Sequence, residues 1–223
     1  MAEYGIKIRN ADSTIQIDSN YQNYVLEKSG SLSFWGIETV SITNNLYPPI
    51  AAIRPQGGIY DLCSVYSLNY SDPYYTDVVF YAAQKQGTPG GTDVDFDYRI
   101  YTLLNAPSAD KYGMRIYTPA GDLVYDSGFV PFKILEVGSA TIGTTYTHAS
   151  HTSPYYIFSP WHSVVHGVAL PPAQGPVLTG RHGIAKQSTT SVQGQWSAIQ
   201  QVGITNYSFH NESGQTFTLI LCE

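Results

Sequence analysis

The chain is poor in charged residues, and this shortage excludes several kinds of protein. Only 13% of its 223 residues are charged, against ~25% in a typical globular domain, which argues against long solvated helices on the surface. Its 17 acidic residues outnumber its 11 basic ones, for a formal net charge of −6. Because nucleic-acid binding depends on many basic contacts to phosphates, we expect no nucleic-acid partner.

Cysteine and long apolar runs are also scarce. Cys63 and Cys222 are the only cysteines, too few for a disulfide-based scaffold, and we expect two free thiols, with a single disulfide between them as the alternative. No apolar run approaches the ~20 residues of a membrane-spanning helix, so we expect no membrane insertion. The start, Met1 to Gly5, has neither a basic region nor an apolar one, and we expect no secretory signal.

Turn formers and residues that favour strands are abundant. The chain has 19 tyrosines, 20 glycines and 13 prolines, and its 43% hydrophobic content is too high for a disordered protein. Apolar and polar residues alternate with a period of two, as where Val94, Phe96, Tyr98 and Ile100 are separated by polar residues. The prediction is an all-β fold with an antiparallel β-sandwich architecture.

Only two short segments are candidates for helix. Residues Gln195–Gln201 have the length of about two helical turns. Residues Tyr81–Gln86 are either a helical turn or the end of a strand that begins near Val78. Both segments are shorter than a typical globular helix, so helices contribute little to the predicted fold.

One sequence pattern occurs twice at a fixed offset. Residues 4–19 read YGIKIRNADSTIQIDS and residues 112–127 read YGMRIYTPAGDLVYDS, which align without a gap at an offset of 108. Both begin with Tyr-Gly and end with Asp-Ser, and each has two strand-like runs around a short polar turn. In the second copy the turn contains Pro119 and Gly121, residue types that favour tight turns. Each copy therefore predicts a β-hairpin, and we interpret the pair as reuse of one structural unit, with convergence as the alternative.

The offset predicts two related β units of similar size. The polar segment 105–111, which contains Pro107, is the natural boundary. We therefore expect an N-terminal β-sandwich unit over residues 1–107 and a C-terminal one over residues 108–223. In the alternative, this segment is a hairpin loop between a strand at 94–104 and another at 112–118, and the two units share one core.

The repeated hairpin resembles a signature of small tail-tip and fibre-associated minor tail proteins of tailed bacteriophages. The resemblance rests on the Tyr-Gly start, the apolar and basic alternation, the small-residue turn and the Asp-Ser end, and it covers residues 4–30 and 94–135. It implies a structural virion protein of the tail tip, baseplate or fibre attachment, assembled in the host cytoplasm. The implied partners are other tail proteins and further copies of the chain. The family supplies no catalytic residues.

No residue pattern points to catalysis, a cofactor or a metal. The chain lacks a G-x-S-x-G elbow, a P-loop and a G-x-G-x-x-G fingerprint. Asp93, Asp95 and Asp97 alternate along a strand, but the glycine and glutamate of a calcium loop are missing, which favours a solvated face. We interpret the histidines as loop residues that bind nothing, including the four that lie closest together: His148, His151, His162 and His166. We therefore expect no enzyme, no cofactor and no metal site.

Two aromatic segments are candidate contact surfaces. Aromatic rings beside polar side chains are typical of sugar-binding sites and of protein–protein hot spots. The candidates for contact with a receptor or partner are Tyr74, Tyr75, Tyr155, Tyr156 and Trp161. The alternative is that these rings belong to the core or to strand edges.

Three functional hypotheses follow from the sequence. The first is tail assembly, with attachment to a glycan or protein of the host surface. The second is a carbohydrate- or receptor-binding adhesin module, and the third is a small hydrolase.

Overall fold

The computed structural model of the chain describes residues 7–9, 15–18, 22–59, 61–84, 93–104, 106–118, 120–148, 150–159, 163–167, 177–198 and 216–223. All regular elements among these residues are β-strands. The strands of the N-terminal half are β1 (Lys7–Arg9), β2 (Ile15–Asp18), β3 (Tyr24–Phe34), β4 (Gly36–Asn45), β5 (Ile50–Pro55), β6 (Asp61–Ser71), β7 (Tyr74–Gln84) and β8 (Val94–Leu103). The strands of the C-terminal half are β9 (Arg115–Tyr117), β10 (Leu123–Asp126), β11 (Ile134–Thr141), β12 (Thr145–Thr147), β13 (Tyr155–Ser159), β14 (Ser163–Gly167), β15 (Val177–Ser188), β16 (Ser191–Ala198) and β17 (Thr216–Cys222).

The helix expected over Gln195–Gln201 is wrong for the residues that the structure describes. Residues 195–198 belong to β16, which pairs with β15 on one side and β12 on the other. These sheet contacts override the weak helix preference of a short polar segment. For Tyr81 the strand alternative is confirmed, because β7 continues to Gln84. The described part of the chain contains no helix, and hence none that could span a membrane.

Two large antiparallel sheets pack against each other as a β-sandwich, which confirms the predicted fold class. In the first, sheet I, hydrogen-bonded neighbours follow the order β11-β17-β13-β5-β8-β3. In the second, sheet II, the order is β12-β16-β15-β6-β7-β4, and β14 pairs with β15 beside this path. The hairpins β1–β2 and β9–β10 form separate two-stranded sheets.

The core lies between the two sheets. Val94, Phe96, Tyr98 and Ile100 of β8 all point into it, as their alternation with polar residues predicts. The Phe80 ring of sheet II lies 5.7 Å from Phe96 and 5.3 Å from Tyr98, between ring centroids. Full burial of a side chain such as Phe96 stabilises the fold by roughly 1.5–3 kcal/mol.

The two halves of the chain contribute equivalent strands in the same order. In sheet I, the N-terminal half supplies β3-β8-β5 and the C-terminal half supplies β11-β17-β13. In sheet II, the matching sets are β4-β7-β6 and β12-β16-β15. In both halves, the chain first forms the outermost strand of each sheet, β3 and β4 or β11 and β12. It then forms the strands where the halves meet, β5 and β6 or β13 and β15. The strands between these, β7 and β8 or β16 and β17, come last. The strand order is therefore the same in both halves, as it is in the two subunits of a twofold-symmetric dimer.

The halves meet at a seam, defined as the strand pairs β5/β13 and β6/β15. Both pairs are antiparallel, and their ladder contacts are Ile53 with Tyr156 and Cys63 with Ile184. Residues of both halves lie in one continuous hydrophobic cluster. Among the described residues β9 pairs with β10 and not with β8, so segment 105–111 is not a hairpin loop between neighbouring strands, although the two halves do share one core.

Both copies of the repeated hairpin have the same backbone register. The paired residues of the first copy are Lys7 and Asp18, Ile8 and Ile17, and Arg9 and Ile15. Those of the second copy are Arg115 and Asp126, Ile116 and Tyr125, and Tyr117 and Leu123. Each pair is displaced from its counterpart by the sequence offset of 108, and both ladders are irregular at the same step. The sequence repeat is therefore a repeat of structure.

The Asp-Ser end of the second hairpin is the centre of a hydrogen-bond network. The buried Asp126 carboxylate accepts hydrogen bonds from Arg115 Nε at 2.9 Å, Ser108 N at 2.8 Å and Gly128 N at 2.8 Å. Burial alone would raise the pKa of Asp126, but these donors outweigh it and hold the pKa well below its usual range. The hairpin is therefore anchored by a charged, fully bonded side chain.

The Tyr-Gly start and the Asp-Ser end of this hairpin touch each other. Met114 N donates a hydrogen bond to Ser127 Oγ at 2.8 Å. Gly113 has a φ of +143°, and a Cβ at this position would collide with the same Ser127 hydroxyl. Glycine tolerates the positive φ and has no Cβ to collide with Ser127, which gives a physical reason for the spacing between Tyr-Gly and Asp-Ser.

Replacement of Gly113 by alanine tests this reason. We expect Gly113→Ala to lower the free energy of unfolding by about 1–3 kcal/mol, because it adds a steric collision to an unfavourable φ. Gly121→Ala is the matched control, since Gly121 also has a positive φ but faces open space. Urea unfolding of both variants should show the larger loss for Gly113→Ala, and equal losses would contradict the contact with Ser127.

Candidate functional site

A cleft of about 430 Å³ opens on the outer face of sheet I, where the two halves meet. The N-terminal half contributes Arg54 from β5 and Arg99 from β8. The C-terminal half contributes Tyr155 from β13, the loop 150–153, Lys133 and Glu223. Because neither half contains this set alone, the cleft depends on the seam.

Strand alternation places two guanidinium groups against one aromatic ring in this cleft. Ile53 and Ile100 point into the core, so their neighbours Arg54 and Arg99 lie on the outer face. The guanidinium carbons of Arg54 and Arg99 are 4.6 and 4.4 Å from the centroid of the Tyr155 ring. Such cation–π contacts each stabilise by about 0.5–2 kcal/mol and restrict the arginine side chains.

Two cations of the cleft have carboxylate partners. Arg54 Nη2 lies 2.6 Å from Asp97 Oδ2, and Lys133 Nζ lies 2.8 Å from Glu223 Oε2. The hydrogen bond from Lys133 lowers the pKa of Glu223, so this pair is ionised at neutral pH. These two pairs are internally neutral.

The third cation, Arg99, forms no ion pair with any residue that the structure describes. Its guanidinium lies beside the hydroxyl groups of Tyr101 and Tyr155 instead. Burial raises the pKa of Tyr101 to about 12, so this hydroxyl is neutral and cannot balance the charge. Of Arg54, Arg99 and Lys133, Arg99 is therefore the one without an ion-pair partner among the described residues.

The loop 150–153 is fixed to the sandwich through its backbone. Ser153 N donates to Thr189 O at 2.8 Å, and His148 N donates to Thr190 O at 2.9 Å. Ser153 has a φ of +52°, a left-handed conformation that is uncommon outside glycine. Backbone strain of this kind persists where surrounding contacts enforce it, and it is common at binding sites.

A buried histidine, His148, holds the same loop by a side-chain hydrogen bond. His148 is 1% exposed, and its Nδ1 donates to His151 O at 2.9 Å. Because a carbonyl can only accept, Nε2 of the neutral ring is unprotonated, and it accepts the hydroxyl of Tyr156 at 2.5 Å. His148 lies outside the strands, as the sequence indicates, and its buried position and its hydrogen bond to Tyr156 are features that the sequence did not reveal.

The aromatic candidates from the sequence lie in three different environments. Tyr155 is 8% exposed and lines the cleft, whereas Tyr156 is 3% exposed on the inner face and presents no surface to a partner. Tyr74 is exposed and Tyr75 half-buried at the turn between β6 and β7. Trp161 lies outside the described residues.

The turn between β6 and β7 forms an exposed aromatic tip. The rings of Tyr70 and Tyr75 meet edge to face with centroids 5.1 Å apart, and Tyr70 OH donates to Asp72 Oδ1 at 3.0 Å. Asn45 pairs with Tyr75, so the exposed Leu46 and Tyr47 lie next to this turn. We call Leu46, Tyr47, Tyr70, Tyr74 and Tyr75 the aromatic tip.

The aspartate row on β8 serves different purposes along its length. Asp93 and Asp95 are exposed, in agreement with a solvated face. Asp97 is not part of that face, because it is bonded to Arg54, Gln56 and Ser31. Among the residues that the structure describes, no three side chains are grouped as ligands for a metal ion.

Sequence reasoning missed the two arginines of the cleft. Arg54 and Arg99 lie on neighbouring strands, and their contact with Tyr155 depends on the order of strands across the seam. The one signal was that each is the only basic residue of its strand.

Comparison of the chain with models of protein families, with curated proteins and with solved structures gives no match. Its function is therefore inferred from its own geometry and from the resemblance of its hairpins.

The buried His148 should make stability fall in acid. Burial lowers the pKa of its imidazole below the ordinary value, so the unfolded chain takes up a proton before the folded one does. The stability that neutral His148 contributes is complete above about pH 6.5 and is lost as the pH falls through the folded-state pKa. Urea unfolding between about pH 7.5 and 5.5 should show a steeper decline for the wild type than for His148→Gln, by up to about 1.4 kcal/mol per pH unit.

The matched variant for this measurement is Tyr156→Phe, which removes the hydroxyl and keeps the imidazole. It should lower stability at every pH, because Nε2 of His148 loses its partner, while the acid-dependent slope is retained. A slope for His148→Gln equal to that of the wild type would contradict the assignment.

Proposed function

We propose that the chain is a structural protein of a bacteriophage tail, at the tip, the baseplate or the fibre attachment. It assembles with other tail proteins and contributes to attachment to the host surface. The main support is the repeated hairpin, whose signature resembles that of small tail proteins and whose two copies share one register.

The second hairpin combines a rigid frame with exposed apolar side chains. Asp126 and its donors fix the frame. Tyr112 is 92% exposed, and Met114 and Tyr117 are each about half exposed. Exposed large apolar groups on a rigid element are typical of a protein contact surface, since little conformational entropy is lost when a partner covers them. This hairpin is therefore the proposed docking element for a neighbouring tail subunit.

Incorporation into particles tests this role. A phage that lacks its own copy of the gene is complemented with the wild-type chain or with a Y112S/M114S/Y117S variant, and purified particles are analysed by mass spectrometry. The wild-type chain should be present and the variant depleted at least about tenfold, because the exposed anchors of an interface carry most of its binding energy. A W35S/I37S/V137S variant is the matched control, since it removes three similarly exposed apolar groups elsewhere and should be incorporated normally. Thermal unfolding confirms that each variant is folded.

Absence of the wild-type chain from the particle would refute the tail assignment. Normal incorporation of the hairpin variant would refute the docking element alone.

A second candidate function, a receptor-binding adhesin module, is favoured by the aromatic tip. Leu46, Tyr47, Tyr70 and Tyr74 are exposed at this tip, and the Tyr70 hydroxyl donates to the exposed Asp72 carboxylate. In the same particles, a Y70S/Y74S variant that is incorporated but adsorbs poorly to host cells would support this candidate. Unchanged adsorption would leave the tip with no attachment role.

A further inference from the structure

We infer that the cleft at the seam binds a carboxylated sugar, such as a uronate unit of an acidic polysaccharide, and that Arg99 pairs with its carboxylate. This binding site belongs to the chain's own residues and would exist whether or not the chain is part of a tail.

The charge of the ligand follows from the charges in the cleft. Arg54 and Lys133 each have a carboxylate partner, and Arg99 has none among the described residues. A guanidinium without an ion-pair partner favours a ligand that carries a negative charge. A phosphate dianion would carry a second charge close to the Glu223 carboxylate, which disfavours it.

The chemical type of the charged group follows from the side chain that meets it. A guanidinium presents N–H groups in a planar fork, which matches the two oxygens of a carboxylate. The ring of Tyr155 packs against the Arg99 guanidinium at 4.4 Å and so limits its orientation. A held arginine loses less conformational entropy on binding than a free one.

The rest of the cleft offers partners for sugar hydroxyl groups. Ser150, Thr152 and Ser153 line one part of it, and their hydroxyls can both donate and accept. Glu223 is exposed at the rim and supplies an acceptor. The volume of about 430 Å³ falls within the ~300–1,000 Å³ of small-molecule sites and suits a short stretch of an oligosaccharide.

The polar loop is preorganised for such a ligand. Ser153 is held in its left-handed conformation by the hydrogen bond to Thr189 O, and buried His148 fixes the start of the loop. Polar groups that are fixed before binding pay a smaller ordering cost when a ligand arrives. This cost would otherwise be large for a hydroxyl-rich loop.

Calorimetric titration of the full chain tests the inference. The probes are a galacturonate trisaccharide, the neutral galactose trisaccharide with the same hydroxyl groups apart from the acid, and a glycerol phosphodiester oligomer. The uronate should bind at least about tenfold more tightly than the neutral sugar, and its affinity should fall as salt rises. The phosphodiester also carries single charges and offers two free oxygens per phosphate, but it lacks the sugar ring, so it should bind more weakly than the uronate.

Variants of the cleft locate the binding. Arg99→Gln should weaken uronate binding by at least about tenfold. Arg99→Lys keeps the charge but loses the planar fork, so its affinity for the uronate should lie between those of the wild type and Arg99→Gln. Lys111→Gln removes an exposed cation outside the cleft and should change the affinity by less than about twofold. Lys133→Gln provides a variant at an exposed rim position, so the test does not depend on the folding of the Arg99 variants. It should weaken binding because it leaves Glu223 unpaired.

Several results would overturn the inference. They are an absence of uronate binding, equal binding of the neutral sugar, and equal losses for Lys111→Gln and the cleft variants. Tighter binding of the phosphodiester would keep the cleft as an anion site but refute the carboxylated sugar as its ligand. None of these results bears on whether the chain is present in tail particles.

Discussion

Two strand pairs, β5 with β13 and β6 with β15, join the halves of this sandwich. Without them, each half would leave an inner strand of both sheets as an open edge, and open edges are templates for aggregation. Within the part of the chain that the structure describes, each strand pair has one residue pair in ladder register, so side-chain packing has to supply much of the cohesion. Ile53, Tyr156 and Ile184 lie at these contacts and in the common hydrophobic cluster. The seam is therefore both a backbone junction and the middle of the core.

The proposed chemistry depends on the same seam. Arg99 and Arg54 come from one half, and Tyr155 with the loop 150–153 comes from the other. The outer face of sheet I brings them together only because β5 and β13 are neighbours. The low charge of the chain makes Arg99 distinctive at this place, since it has no ion-pair partner among the described residues. The hairpins, in contrast, lie outside both large sheets, which suits them to contact other proteins.

Features that depend on local sequence could be predicted, and features that depend on strand order could not. The alternation in β8 correctly predicts which side chains of that strand enter the core, and the repeat at an offset of 108 correctly predicts two hairpins. The inward position of His148 and the pairing of Asp97 with Arg54 depend on partners from distant strands. Tyr155 and Tyr156 are adjacent and chemically identical, yet strand pleating sends one to the cleft and the other to the core. No periodicity can assign the two faces of sheet I before its neighbours are known.

The most direct test of the shared core uses the two natural thiols, because one lies in each half. Cys63 and Cys222 are free and buried, and burial raises the pKa of both, so neither should react with a thiol reagent in the native state. In the C63A and C222A variants, pulsed thiol labelling at increasing urea concentrations follows the remaining cysteine alone. If the halves form one cooperative unit, the labelling midpoint of each variant will coincide with its midpoint by circular dichroism. A thiol that becomes reactive while the other half remains folded would contradict the account.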